Sequence, residues 1–205
     1  MSLPVFRIDS ADMSAEPGAT LTLNGAEGRH AVTVKRLRVG EKLMIGDGVG
    51  TLAVCRVTGI DGKDTLYATV DGVKNVSRQK PAVTIVQGIP KGDAADLAVD
   101  LATEAGVDRI IPWQAERCIA QWSGSKKDKG QAKWQKTAIE AAKQSRRAWD
   151  PEVTPVATLD EIVKLVSETQ KASGVVAILH ESARVKFASL PFNRATSIGL
   201  IVGPE

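Results

Sequence analysis

The chain has 205 residues, with 27 Lys+Arg against 24 Asp+Glu and only two cysteines. A hydrophobic share of 43% and a charged share of 25% are ordinary for a soluble globular protein with room for one large or two small domains, which argues against wholesale disorder. Cys55 and Cys118 are too few for a disulfide framework or a zinc site, and neither a signal-peptide pattern nor an apolar run of about eighteen residues is present, so a cytoplasmic, metal-free protein with no membrane attachment is expected.

Residues 1–80 predict short strands at Pro4–Ile8, Thr20–Leu23, Lys42–Ile45, Thr51–Ile60 and Thr65–Val73. Asp47-Gly48, Asp61-Gly62 and Asp71-Gly72 are turn dipeptides at the spacing of a small antiparallel barrel. Gly28–Leu37, which holds His30, Lys35 and Arg36 and is followed by Arg38, is expected to form a short helix crossing that barrel. The predicted organisation is a β-barrel over 1–73, a polar linker over 74–81 ending in Pro81, and an α/β domain over 82–205.

From Ala82 the pattern changes. Ala82–Ile89 is a nearly continuous apolar run, as a strand buried on both faces requires. Asp93 is a candidate N-cap, Ala94–Ala105 has helical spacing, Gly106 suits its C-terminal cap, and Val107–Pro112 supplies the next strand. That βαβ unit implies a right-handed crossover and a mainly parallel sheet. A second helix is predicted over 132–149, with Trp134, Ala138 and Trp149 on its apolar side and Lys136, Lys143 and Arg147 on a shared face. Thr158 and Glu161 form a capping-box pattern ahead of a helix over Leu159–Gln170, and Val175–Leu179 and Ile198–Val202 are the last strands.

Charge is uneven along this frame. Residues 123–150 carry 8 basic and 3 acidic groups, whereas residues 81–122 carry 3 and 6. A local basic block raises the case for a polyanionic partner, although a solvated helix face gives the same count. Arginines are suited to bidentate phosphate recognition, and Arg36 with Arg38 and Arg146 with Arg147 form two such clusters.

Ligands of open α/β sheets bind beyond the carboxyl ends of strands. Four loops follow from this rule: Gly88–Asp93, Gln114–Arg117, His180–Ser182 and Gly203–Glu205. None carries a G-x-G-x-x-G or a P-loop, which lowers the case for nicotinamide and nucleoside-triphosphate enzymes. A lone histidine packs or caps as readily as it binds, so His30 and His180 are candidates on position alone. Trp134 and Trp149 are better read as core anchors.

Several stretches taken in order resemble one family. They are His30-Ala-Val-Thr-Val-Lys-Arg36, Lys91-Gly-Asp93, Ala102-Thr-Glu-Ala-Gly-Val107, Glu116-Arg-Cys118, Trp134-Gln-Lys136, Gln144-Ser-Arg-Arg147, Leu179-His-Glu181 and Ile201-Val-Gly-Pro-Glu205. Each is weak alone, but the ordered set spans nearly the whole chain. The resemblance is to the RsmE-type 16S ribosomal RNA uracil-N3 methyltransferases. It implies an N-terminal PUA-like barrel, a C-terminal SPOUT α/β domain with a trefoil knot, a homodimer, and transfer of a methyl group from S-adenosyl-L-methionine to a uridine N3 in small-subunit ribosomal RNA. Carried over by motif, Leu179, His180, Glu181, Gly203, Pro204 and Glu205 lie on cofactor loops. His30, Lys35, Arg36 and Arg38 would serve RNA binding, as would Lys91, Lys136, Lys143 and Arg146 on the surface near the active site. Arg117 and Arg147 are the candidates for approaching the target base.

Two departures accompany it. Lys35 stands where the motif has leucine, and the family continues beyond Gly-Pro-Glu with a helix and a Leu-Gly-x-x-Ile-Leu-Arg segment, so a chain truncated by roughly forty residues is expected. Three alternatives stay open: a SPOUT enzyme acting on a ribose 2′-hydroxyl, a non-catalytic RNA-binding module, and a small-molecule α/β enzyme.

Overall fold

Along residues 51–57, Leu52, Ala53, Cys55 and Val57 are buried in a pattern close to the two-residue period of a half-buried strand. The computed structural model describes residues 3–14, 16–116 and 118–204, and in it this segment is the centre of a five-stranded sheet. The chain forms two compact units, Met1–Arg78 with Ala142–Asp150, and Gln79–Ala141 with Pro151–Glu205.

In the first unit, β1 (Val5–Arg7), β2 (Thr20–Leu23), β3 (Lys42–Gly46), β4 (Thr51–Asp61) and β5 (Thr65–Asn75) are ordered β1-β3-β4-β5-β2. Phe6, Leu21, Leu23, Leu43, Ile45, Val57, Leu66 and Val70 make its core. All pairings are antiparallel, as expected, except β1 with β3, which run parallel, so the sheet is mixed. The reason is connectivity. β2 and the crossing helix intervene between β1 and β3, and a long excursion of that kind permits parallel pairing where a tight hairpin does not. The crossing segment is a short helix α1 (Gly25–Arg29) that continues as a π-helical turn over His30–Val34 and places Ala31 in the core.

Residues 142–150 complete this unit. Gly50 N donates to Ala148 O at 3.0 Å, Asp150 N to Gly48 O at 2.9 Å, and Trp149 Nε1 to Val76 O at 2.7 Å. Arg7 forks onto Asp150, with Nη2 2.6 Å from Oδ1, and also donates to Arg147 O at 2.8 Å. The guanidinium of Arg78 lies 4.4 Å from the Trp149 ring centre, a cation–π distance.

The second unit is an all-parallel sheet of β6 (Ala82–Gly88), β7 (Arg109–Trp113), β8 (Glu152–Val153), β9 (Val175–Leu179) and β10 (Ser197–Val202), ordered β8-β7-β6-β10-β9. Val86, Ile111, Ile162 and Ile201 form one core cluster; Val99, Ile110, Trp134 and Ala138 form another. Helix α2 is Ala94–Glu104 and α4 is Leu159–Lys171. In α4 the Thr158 hydroxyl accepts from Glu161 N while the Glu161 carboxylate accepts from Thr158 N, the expected capping box.

The long helix α3 runs over Lys126–Gln144, so its expected span is corrected at both ends. It stops because Arg146 turns left-handed (φ 56°) while Arg147 N donates to Ala142 O at 2.8 Å and Arg146 N to Lys143 O at 3.2 Å. These are the paired bonds of a Schellman cap. Arg147 and Trp149 are consequently off the helix, and Arg147 does not continue the face that carries Lys136 and Lys143.

Candidate functional site

The parallel register aligns the carboxyl ends of four strands. Gly88 pairs with Trp113, Val202 with Gln87, and Val202 with Leu179. The loops that follow β6, β7, β9 and β10 therefore leave one edge of the second unit's sheet side by side. The end of β9 and the loop that follows it border an open cleft of about 620 Å³. Ile178, Leu179, Val185, Phe187 and Leu190 provide its apolar surface, with His180 and Glu181 at its polar side. Ile178 is 69% exposed, Val185 65% and Phe187 49%. Large apolar side chains gathered in the open around a concavity are the signature of a ligand or partner site.

Local bonds set the shape of the cleft. The Ser182 N–H donates to His180 Nδ1 at 3.2 Å, and the Ser182 hydroxyl lies 2.7 Å from the same nitrogen. A backbone N–H only donates, so Nδ1 is the acceptor and the neutral ring carries its proton on Nε2. Phe187 stacks in a tilted pair with Phe192 at 4.8 Å, which anchors the far wall.

The loop after β10 is held from the neighbouring strand. Gln87 is buried, and its Nε2 donates to Gly88 O at 2.9 Å and to Gly203 O at 3.2 Å. A Cβ on Gly88 would lie 2.7 Å from Pro204 N and 2.9 Å from Gly203 C, so only glycine lets the 203–204 backbone approach so closely. Gly203 and Pro204 are thus positioned at the strand ends, although they are not among the residues lining the cleft. On the β7 side, Gln114 accepts from Trp122 N at 2.8 Å and donates to Ala120 O at 3.0 Å, pinning the base of its loop.

The first unit has a concave site of a different kind. A cavity of about 160 Å³ is lined by Leu3–Val5, His30, Lys35, Lys143, Gln144 and Arg146. His30 meets Phe6 edge to face at 5.6 Å, which fixes the ring at the margin of the core. Lys143 is buried, and its ammonium lies 2.6 Å from Glu27 Oε1, while Glu27 Oε2 accepts from Arg7 N at 2.9 Å. No carboxylate among the described residues lines the cavity.

These features match known proteins. Residues 78–205 fit the family model described as an RNA methyltransferase domain, and residues 23–71 fit that of an RNA methyltransferase PUA domain. The chain is 43% identical to the ribosomal RNA small subunit methyltransferase E of Mycobacterium bovis, over 95% of this chain and 74% of that protein. It is 29% identical to the same enzyme of Bacillus subtilis, over 98% and 79%. The chain belongs to this methyltransferase family. A crystal structure of the Neisseria gonorrhoeae ribosomal RNA small subunit methyltransferase E bound to S-adenosyl methionine superposes with a TM-score of 0.83 at 26% identity, covering 99% of this chain and 80% of that one. The fold is accordingly the PUA-like plus SPOUT-type arrangement of the methyltransferase E family.

Within that family fold the candidate residues separate. Leu179, His180 and Glu181 line the cleft, while His30, Lys35, Lys143 and Arg146 share the cavity of the first unit. Arg36 and Arg38 are exposed beside that cavity in sequence, and Lys91 and Lys136 are exposed on the second unit. Lys143, expected on an RNA-facing surface, is instead buried with its charge matched by Glu27, because residues 142–150 belong to the first unit. Arg147 belongs to the first unit through residues 142–150, and the cleft is formed by residues of the second. Arg117 and Glu205 lie outside the described residues.

Sequence reasoning missed Gln87 and Gly88 as supports of the 203–204 loop. It also missed Val185 and Phe187, whose signal was apolar side chains inside an otherwise polar loop. Among the described residues no group of three His, Cys, Asp or Glu is placed to hold a metal ion, and no helix is long and apolar enough to cross a membrane.

Proposed function

We propose that this protein methylates N3 of a specific uridine in the 16S ribosomal RNA of the small subunit, using S-adenosyl-L-methionine, as a cytoplasmic homodimer. The observation that carries the reading is the apolar cleft beyond β9 at the strand ends of the second unit, in a fold shared with a family member whose crystal structure is bound to S-adenosyl methionine. The residues present suit such a ligand. Ile178, Leu179 and Phe187 offer apolar surface for an adenine ring, and Glu181 offers a carboxylate toward the cationic end. When bound, the cofactor supplies an electrophilic methyl group.

The chain's own contribution is positioning and charge. Uracil N3 passes its proton to water, the resulting charge spreads over O2 and O4 where a fixed guanidinium lowers its energy, and the N3–CH3 bond forms as the sulfonium C–S bond breaks to leave a neutral thioether. Arg117 and Arg147 are the groups proposed for this role. Arg36, Arg38, Lys91, Lys136 and Arg146 are proposed to hold RNA phosphates, with His30 and Lys35 beside them.

The test is incubation with unmodified small ribosomal subunits and labelled cofactor, followed by mapping of the product. A single 3-methyluridine is expected; methylation at a ribose 2′-hydroxyl, or none despite cofactor binding, rejects the assignment. In the same assay Arg147→Ala is expected to slow methylation by about a hundredfold while calorimetry shows unchanged cofactor affinity. Wild-type turnover in that variant removes Arg147 from the chemistry.

A further inference from the structure

We propose that the cavity on the first unit is a clamp for one phosphodiester group, closed by Lys35 from the crossing segment and Arg146 from the end of α3. The proposal rests on the RNA-binding reading above and adds a stoichiometry to it: two basic side chains, far apart in sequence, sharing one phosphate.

Size and charge support it. A volume of about 160 Å³ is well above the roughly 10–15 Å³ that admits a single water, and leaves room for a phosphate. Among the described residues no carboxylate lines the cavity, and Glu27 is already committed to Lys143 and to Arg7 N. Lys35 and Arg146 are exposed, and neither forms an ion pair among the described residues. Lys143 at the cavity wall is neutralised, so the open charge comes from the two groups named.

The backbone supplies an independent argument. Arg146 and Arg36 both have left-handed φ, 56° and 54°, and both sit just past a helical turn. Around Arg36, Lys35 N donates to His30 O at 2.8 Å and Leu37 N to Ala31 O at 3.1 Å, so wide-loop bonds on both sides hold the left-handed residue, in a register different from the cap of α3. Glycine is the residue that takes this position freely, and a side chain there is strained. Backbone strain of this type concentrates at functional sites, where the surroundings hold it in place. The competing explanation is that these cations only offset the negative ends of two helical segments. It makes an opposite prediction: replacing Arg146 by glycine should then cost stability and leave RNA binding alone.

The experiment measures affinity of the full chain for a single-stranded RNA oligonucleotide as a function of salt. The variants are Lys35→Ala, Arg146→Gly, their double, and Arg38→Ala with Arg146→Gly. Ser173→Gly serves as a backbone control, because Ser173 has the same left-handed conformation (φ 62°) at the end of α4. Each phosphate neutralised on a single strand contributes about 0.7 to the slope of log affinity against log salt. A shared phosphate predicts that the Lys35/Arg146 double variant lowers the slope by about 0.7, with an affinity loss smaller than the product of the single losses. Arg146→Gly is expected to leave the melting temperature equal or higher, and Ser173→Gly to raise it without touching RNA.

A slope change of about 1.4 with multiplying losses means two independent phosphates; it overturns the clamp and leaves RNA binding intact. A less stable Arg146→Gly with unchanged affinity assigns the arginine to the helix end and also overturns it. A wild-type affinity that ignores salt removes the RNA-binding reading itself.

Discussion

Gln87 illustrates how one buried amide determines the shape of a loop it does not belong to. Its Nε2 reaches two carbonyls, Gly88 O and Gly203 O, on adjacent parallel strands. Replacing it with leucine keeps the volume and removes the donor, so Gln87→Leu is expected to lower stability by about 1–3 kcal/mol and to weaken cofactor binding. Chemical denaturation and calorimetry report the two effects, and unchanged values for both would mean that the 203–204 loop stands without it. Cys55 is the second residue with a consequence. Burial, with Asp71 adding repulsion, pushes its thiol up to about 12. An acid whose value is raised on folding contributes stability that is complete below its ordinary value near 9 and is lost as pH rises toward 12. Stability is therefore expected to fall above about pH 9, less steeply in Cys55→Ala, and iodoacetamide is expected to spare Cys55 in the native protein. At this scale residue type was legible and environment was not. Lys143 had the spacing of a surface cation, yet it is buried because Glu27, 116 positions earlier, meets it; no local pattern contains that partner.

Elements were legible where a local signal sets their ends. The strand Val175–Leu179 and the start of α4 follow from an apolar run and from the Thr158/Glu161 pair, and both are found as expected. The end of α3 had no such signal, since the left-handed position is filled by Arg146 rather than by the usual glycine. Its start at Lys126 lies in a polar, lysine-rich stretch in which apolar periodicity is absent. The two-residue β8 is shorter than any pattern can reveal. The capping box itself is testable. Thr158→Ala is expected to cost about 1 kcal/mol. Bonds from Thr158 hold the Glu161 carboxyl below its ordinary range. A lowered carboxylate stabilises above its unfolded value and loses that contribution as pH falls through the folded one. Acid melting curves of wild type and Glu161→Gln should therefore differ near neutrality and converge at low pH; parallel curves throughout would show that the box carries no pH-linked stability.

For the whole molecule, the distribution of the chain between its two units is the feature that sequence order concealed. Two regions of different composition suggested a simple succession, whereas residues 142–150 return to the first unit while the chain on either side belongs to the second. Composition averages cannot detect a nine-residue excursion, and the groups that fix it are paired across more than a hundred positions: Arg7 with Asp150, and Glu27 with Lys143. Both pairs are largely withdrawn from water, so their value lies in geometry and mutual neutralisation more than in net attraction. Breaking one leaves a desolvated charge. Asp150→Ala removes the carboxylate that accepts from Arg7 Nε and Nη2, leaving Nη2 only Arg147 O, and Ala148 and Trp149 then lose the side-chain tether that keeps them against Val5 and Leu52. We expect a loss of about 3–5 kcal/mol, read by urea denaturation. Arg7→Met with Asp150→Leu, which removes both charges and retains apolar volume, is expected to recover most of it. If the single variant is as stable as wild type, the excursion is held by Trp149 and its backbone bonds alone. If the double variant is as damaged as the single, the geometry of the pair, and not only its charge balance, is what joins residue 150 to residue 7.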